Sequence, residues 1–437
     1  MTATVLVIDG GGRAAALAQK YSQSKHVKKL LVVPGNDLIR INTKKPTKIF
    51  PHLKTTDTAE IVEIAKKEKV DLVDVAQDDA IAVGVVDRLQ KKGFKVFGPA
   101  QAAAQIEWDK AWARTFMRKN KIPVPDFKIC NSQKKGIQYI QTKKDKQWFV
   151  KASGLAAGKG AFWAKNNQEA IEKIHLMKKF GAAGRIFLIE ECLQGEEFSS
   201  FAIVDGSKFV IVGHAQDHKT VYNGDLGPNT GGMGCSSPPA VITEKIERQI
   251  ESIFAKATNG LVKIKRPYQG ILYLGGMINK RNKVYVIEFN ARWGDPEAQV
   301  IIPALKNDLY QIANKTLNGK LKTLTIKKDN LYRVTITAAS RGYPLDHSNV
   351  VGNKIIGFEK ILKLKNVEIF GAGVKRVKGK YLAAGGRLFY VTAAGKNVEK
   401  ARKIAYGALS QVSIKNNNLH YRTDIGYKDL DRFYKRA

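Results

Sequence analysis

Residues 147–165 read QWFVKASGLAAGKGAFWAK, and their spacing decides the fold. Apolar residues flank a glycine-rich centre on both sides, which predicts two strands joined by a loop. A phosphate loop of the G-x-x-x-x-G-K-[ST] type runs from strand into helix and needs a hydroxyl after its lysine. Here Gly154 and Gly158 are one residue too close, and Gly160 follows Lys159 where a Ser or Thr would hold magnesium. The better reading is a flexible hairpin lid over residues 154–160 whose backbone N–H groups close on phosphates. Lys151, at the end of the first apolar run, would bring a fixed ammonium to phosphate oxygens.

Downstream, VYVIEFNAR (residues 284–292) places Glu288 and Asn290 two apart on a strand. They therefore share a face and offer two hard oxygens to Mg²⁺, which fills its octahedron with water and substrate phosphates. Arg292 and GDPE (294–297) follow directly, a sequence better suited to a site than to a surface turn. QDHKTVYNGDLGPNTGGMG (216–234) lacks apolar periodicity and reads as a long functional loop. His218 within it is more simply a hydrogen-bonded loop histidine than a base. LIEECLQGEE (188–197) ends a strand at Glu190 and Glu191. It is either a solvated acidic turn or a hinge offering backbone groups to adenine and a carboxylate to ribose. In VLVIDGGGRAAALA (5–18), Gly10, Gly12 and Ala15 match a dinucleotide fingerprint. A glycine turn opening a helix accepts any anion, however, so a phosphorylated small molecule suits it equally.

Residues 1–105 alternate short apolar strands with helical segments, the rhythm of a small parallel sheet with crossover helices. One helix is expected over 78–93 and another over 101–120, before Pro123 and Pro125 hold the chain extended. From 127 onward the pieces are antiparallel, with helices near 168–180 and 243–259 and a largely irregular stretch over 214–238. The last hundred residues read as strands and turns with a helix over 398–410. The fold class is thus α/β (α+β), with expected segments 1–105, 106–325 (lid 124–192) and 326–437.

The chain has 437 residues, and 74 Lys+Arg against 39 Asp+Glu give a net charge of +35. A nucleic-acid binder concentrates such charge on one face or tail, whereas these lysines are spread throughout, as solvated faces are. A basic nucleic-acid-binding protein is the alternative from another class. Cys130, Cys192 and Cys235 are odd in number and far apart, fitting neither a disulfide framework nor a zinc site. No long apolar run and no charged leader is present, so a cytoplasmic protein without a membrane partner is expected.

Taken in order, FGPAQAAAQIEWDKAW, VKASGLAAGKG, IEECLQGEE, QDHK, GPNTGGMG, VIEFNARWGDPE, RGYP, AAGGRLFYVTAAG and YRTDIGY resemble the ATP-grasp ligases, and among them the phosphoribosylamine–glycine ligase family of purine biosynthesis. The resemblance spans nearly the whole chain. It implies a pre-ATP-grasp domain, an ATP-grasp domain with a mobile lid and a small β-rich C-terminal domain. It further implies joining glycine to 5-phosphoribosylamine with ATP and Mg²⁺ (or Mn²⁺), and a monomer is expected. Lys110 and Lys151, with Gly154, Gly158, Lys159 and Gly160, would hold ATP phosphates. Glu190, Glu191 and Leu193 would form the adenine hinge, Glu197 would take the ribose, and Glu288 with Asn290 would bind the metal. Asp217, Lys219 and Arg292 would carry the chemistry, while Asn229, Thr230, Gly231, Gly232 and Asp295, with Gly11 and Gly12, would line the substrate site. The departures cluster at the start. Asp9 stands where the family has glycine, Ala14 and Ala15 where it has Glu and His, and Ala76-Gln77-Asp78 where it has Gly-Pro-Glu. An ATP-grasp ligase with another amine acceptor is therefore the second expectation.

Overall fold

The computed structural model describes residues 2–156 and 159–436. Its first sheet is parallel, in the order Thr47–Ile49, Val27–Pro34, Ala3–Asp9, Leu72–Val75, Val96–Phe97. Ala3–Asp9 is buried along its whole length, as a strand with helices on both faces must be. The edge strand Thr47–Ile49 was not expected, because three residues with one apolar side chain carry no periodic signal. The helix expected over 78–93 is two, Asp78–Ala82 and Val85–Lys91, broken at Gly84 with φ +81°.

Asp74, in the middle of this sheet, accepts a 2.7 Å hydrogen bond from the Tyr21 hydroxyl. Burial pushes its carboxyl up to about 7 from an ordinary 3.8, the Tyr21 bond opposing the rise. A carboxyl whose folded pKa exceeds its unfolded value costs stability as pH climbs between the two. Asp74→Asn is therefore expected to gain stability relative to the parent between about pH 4 and 7, checked by denaturant midpoints at pH 5 and pH 8.

The helix expected over 101–120 is likewise two, Gln105–Trp108 and Lys110–Lys119. Asp109 leaves helical geometry (φ −128°, ψ 94°) and its side chain accepts the Trp112 N–H, capping the second helix. A four-stranded antiparallel sheet follows, ordered Phe127–Cys130, Phe187–Glu191, Trp148–Ala152, Ala161–Ala164. Helices Gln133–Gln141 and Asn167–Leu176, capped by Ser132 and Asn166, complete it around a core of its own.

The third sheet has nine strands. Val284–Asn290, Gln269–Ile278, Glu196–Asp205, Lys208–Asp217, Gly234–Ser237, Tyr332–Ser340, Arg387–Gly395 and Val367–Gly371 are consecutive neighbours, and Leu419–His420 pairs with Tyr332–Ser340. Segments 106–325 and 326–437 thus share one sheet, joined where Gly234–Ser237 pairs with Tyr332–Ser340. The irregular stretch expected over 214–238 is more ordered than its composition implied. It holds the end of Lys208–Asp217, a small hairpin of Thr220–Tyr222 and Leu226–Asn229, and Gly234–Ser237. Helix Glu244–Lys263 buries Ile246, Ile250, Ile253, Phe254, Ala257 and Leu261, one stripe at helical spacing. Helix Val398–Leu409 lies where it was expected, and Tyr427–Arg436 adds a terminal helix that was not. Among the described residues no helix is long and apolar enough to cross a membrane.

Candidate active site

Alternation along Val284–Asn290 sends Phe289 into the core and leaves Glu288 and Asn290 on the other face. A register shift opposite Gly275 and Gly276 aims this end of the strand. Burial alone would raise the Glu288 carboxyl, but Lys219, Lys110, Lys151 and Arg292 together hold it below its ordinary value. None of these cations is within ion-pair distance of it. The buried amide nitrogen of Asn290 has no partner among the described residues, and its Oδ1 accepts a 3.3 Å bond from Arg292. The unpaired Glu288 carboxylate, with one lone pair of Asn290 Oδ1 still unused, fits a magnesium ion that takes its other ligands from water and substrate. Among the described residues no cluster of three His, Cys, Asp or Glu offers an all-protein cage.

Lys151, 9 % exposed, lies 2.7 Å from Glu190 Oε2. Arg114 grips the same carboxylate through Nε and, at 3.0 Å, Nη2. Burial would raise the Glu190 carboxyl, but Arg114 and Lys151 hold it down at about 2. Arg114 also donates to the Ile287 carbonyl at 2.6 Å, tying the lid sheet to the strand of Glu288. The Glu190 side chain is thus committed to fixing two cations, so an adenine contact falls to backbone groups beyond it. There the Glu191 and Cys192 N–H groups donate to Asp126 and Gln147 carbonyls, whereas the Leu193 N–H has no partner among the described residues. Lys110 starts its helix with its N–H on the Ser153 carbonyl at 2.9 Å. At the root of the glycine loop, Gly154 donates to Ala183 (3.1 Å), Gly160 accepts from Ala152 (2.8 Å), and Lys159 is exposed. Gly158 lies outside the described residues.

Lys219 pairs with Glu197 at 3.0 Å, and this partner raises its ammonium well above the ordinary value against the effect of burial. The expected ribose ligand and one expected catalytic residue are therefore a single ion pair. Burial, then the neighbouring Glu297 carboxylate, push the Asp217 carboxyl well up, and its Oδ1 has no hydrogen-bond partner among the described residues. Asp217 also explains Gly232. That residue sits at φ +109°, and a Cβ there would lie 2.8 Å from Asp217 Oδ1 and 2.4 Å from Pro296 Cδ. The loop is held by Thr230, bonded to the Lys219 carbonyl through both N–H and hydroxyl, and by Gly231, which donates to the Tyr343 hydroxyl at 3.0 Å. Asn229 pairs with Thr220 in the exposed hairpin. His218 is buried, its ring accepts the Gly426 N–H, and burial lowers it to about 3. It is a structural histidine rather than a base.

At the opening turn the chain supplies its own anion. The Asp9 carboxylate accepts the N–H groups of Gly10 (2.7 Å) and Gly11 (3.3 Å) and pairs with Arg13 at 2.9 Å. Of the turn's amides, those of Gly10 and Gly11 are thus already occupied. Asp295 sits at the same helix N-terminus, 3.4 Å from the Arg13 N–H, so a second negative charge meets any incoming anion. Gly12 serves packing, since a Cβ there would lie 2.2 Å from the Tyr390 ring.

Sequence reasoning missed Glu107, Arg114, Glu297 and Arg387. Arg114 had a readable signal, being one helical turn after Lys110 and so on its face. Glu297 lay within the quoted GDPE. Burial pushes the Glu107 carboxyl up to about 7, against the pull of Arg292. Arg387 bridges the Gly231 and Asp295 carbonyls from the last sheet strands. It lies within the quoted AAGGRLFYVTAAG, whose composition does not mark its role.

Three family models of phosphoribosylglycinamide synthetase match in tandem: the N domain over residues 3–107, the ATP-grasp (A) domain over 108–298 and the C domain over 333–428. The chain is 39 % identical over 435 residues to the human trifunctional purine biosynthetic protein adenosine-3, covering 98 % of this chain and 42 % of that protein. It is 38 % identical to phosphoribosylamine–glycine ligase of Haemophilus influenzae, covering 98 % and 99 % of the two chains. Among solved structures, phosphoribosylamine–glycine ligase of Thermotoga maritima superposes with a TM-score of 0.82 at 27 % identity, covering 97 % and 100 %. Biotin carboxylase of Campylobacter jejuni shares the fold, with a TM-score of 0.72 at 15 % identity and 98 % and 94 % coverage. With models matched along almost its whole length and relatives this similar from end to end, the chain belongs to the phosphoribosylglycinamide synthetase family.

Proposed function

We propose that this chain is an ATP-dependent carbon–nitrogen ligase that joins glycine to 5-phosphoribosylamine, giving glycinamide ribonucleotide, ADP and phosphate. The observation that carries the reading is Glu288, an unpaired carboxylate ringed by Lys110, Lys151, Lys219 and Arg292. Cations in that number around one acidic group suit a triphosphate and a metal-bound phosphate bridge. Glu288 and Asn290 would hold Mg²⁺, which when bound neutralises charge on the phosphate oxygens. Lys110 and Lys151 orient the phosphates, and the Glu190–Arg114 clamp fixes Lys151. Leu193 N–H and Glu191 flank the adenine position, and Glu197 faces the ribose. Arg292 and Lys219 hold the glycine carboxylate in line with the γ-phosphoryl group, so that glycyl phosphate forms without an enzyme nucleophile. The unpaired Asp217 oxygen receives the attacking amine, with Thr230–Gly232 and Asp295 around it. Closure of the 154–160 loop keeps water from the acyl phosphate.

A monomer is proposed as the working unit. Three free cysteines suit a reducing cytoplasm. We further propose 1–105, 106–325 and 326–437 as the functional segments, with 124–192 as the lid. Purified protein is expected to release ADP only when Mg²⁺, ATP, glycine and phosphoribosylamine are all present, measured by coupled ADP release with each component omitted. The occupied opening turn favours a second reading, a ligase for an amine without a phosphate at that turn. Turnover with such an amine and none with phosphoribosylamine would establish it instead.

A further inference from the structure

We infer that Glu107 is a positioning residue that fixes Arg292 beside the Glu288–Asn290 face, an inference that rests on the functional reading above. Glu107 is 8 % exposed, and its two oxygens take consecutive residues of one segment. Oε1 pairs with Arg292 Nη2 at 2.9 Å, and Oε2 accepts the Ala291 N–H at 2.7 Å. A two-point grip on backbone and side chain sets both the path of the chain after Asn290 and the direction of the guanidinium. The remaining Arg292 bonds are weaker, at 3.3 Å to the Asn290 Oδ1 and the Trp293 carbonyl, and its buried Nε has no partner among the described residues. The Arg292 side chain is 18 % exposed and its Nη1 donates to the Trp293 carbonyl alone, which leaves one Nη1 N–H for a ligand.

The grip comes from a segment that is itself anchored at the other end of the site. Two residues after Glu107, Asp109 accepts the Ser153 hydroxyl at 2.8 Å, and that hydroxyl accepts the Ala111 N–H at 2.9 Å. Ser153 stands two residues past Lys151. Residues 107–111 therefore connect the root of the glycine loop to Arg292, and Glu107 is the contact through which the loop end fixes the arginine.

Steady-state kinetics on Glu107→Gln, with ATP, glycine and amine varied in turn, test this. Glutamine keeps an acceptor for the Ala291 N–H and loses the ion pair. Expected are a loss of about tenfold to 100-fold in kcat/KM for glycine, the scale seen when groups orienting a ligand-binding side chain are removed, and an ATP KM within about twofold of the parent. Glu107→Asp should recover part of the loss, and a crystal structure of Glu107→Gln should show Arg292 turned from its place. Unchanged kinetics, parallel losses for ATP and glycine, or an undisplaced Arg292 would overturn the role. Parent enzyme that turns over only with an amine other than phosphoribosylamine overturns the functional reading alone, and the Glu107 comparison is then made with that amine.

Discussion

Glu288→Gln is expected to lower ADP formation by about 10³-fold while the folded protein survives. The substitution keeps the volume of the side chain and removes its charge. That carboxylate is the one acidic group of the strand Val284–Asn290, and its charged form is favoured by four surrounding cations. Without it, the site loses its anchor for a divalent cation and gains net positive charge, so the phosphates bind in a geometry set by lysines alone. Removing one preorganised electrostatic contact costs roughly 10²–10³ in rate, and removing a metal's charged ligand belongs at or above the upper end. Side-chain packing loses little, because Glu288 has no hydrogen bond to any described residue. The check is single-turnover ADP release beside a thermal melt. Activity within tenfold of the parent at saturating Mg²⁺ would remove Glu288 from the metal site.

Arg114→Ala should act on stability, by about 3–5 kcal/mol, the cost of leaving a buried charge partly uncompensated. Arg114 and Glu190 are both buried, and the arginine also bonds the Val286 and Ile287 carbonyls. The loss should depend on pH. Glu190 titrates at about 2 when folded against an ordinary 4.5. Its contribution is present above the unfolded value and fades as pH falls through the folded one. The gap between parent and variant should therefore be full at pH 7 and shrink between about pH 4.5 and 2, as read from denaturant midpoints. A gap that stays constant on acidification would mean that Arg114 stabilises through its carbonyl bonds alone.

The parts of the site legible in the sequence were those written in local spacing. Two strands around glycines placed Lys151, and period-two alternation placed Glu288 with Asn290. What was not legible depends on long-range closure. Arg114 meets Glu190 across 76 residues and Ala291 meets Glu107 across 184, distances over which spacing carries no information. The self-bonded opening turn was not legible for another reason. A glycine turn before a helix offers N–H groups to any anion, and the chain supplies its own anion one residue earlier, in Asp9. The helix breaks at Gly84 and Asp109 were readable in principle, as a glycine within a helical pattern and an N-cap residue before Lys110.

The nine-stranded sheet has a consequence for when the protein becomes competent. Residues 229–232 are fastened by partners that the ribosome makes late: Tyr343 and Arg387 on Gly231, and Thr337 on the Gly232 carbonyl. The hairpin before them is held by Arg422, Thr423 and Asp424 on Thr220, Asn223, Gly224 and Asp225. A nascent chain that has completed every proposed nucleotide and metal ligand thus still lacks these later fastenings of the acceptor loop, which at that point is held by the Thr230–Lys219 bonds. In order of synthesis the half proposed to activate precedes the contacts that fasten the half proposed to accept, and Arg422–Asp424, just before the terminal helix, are the last of these.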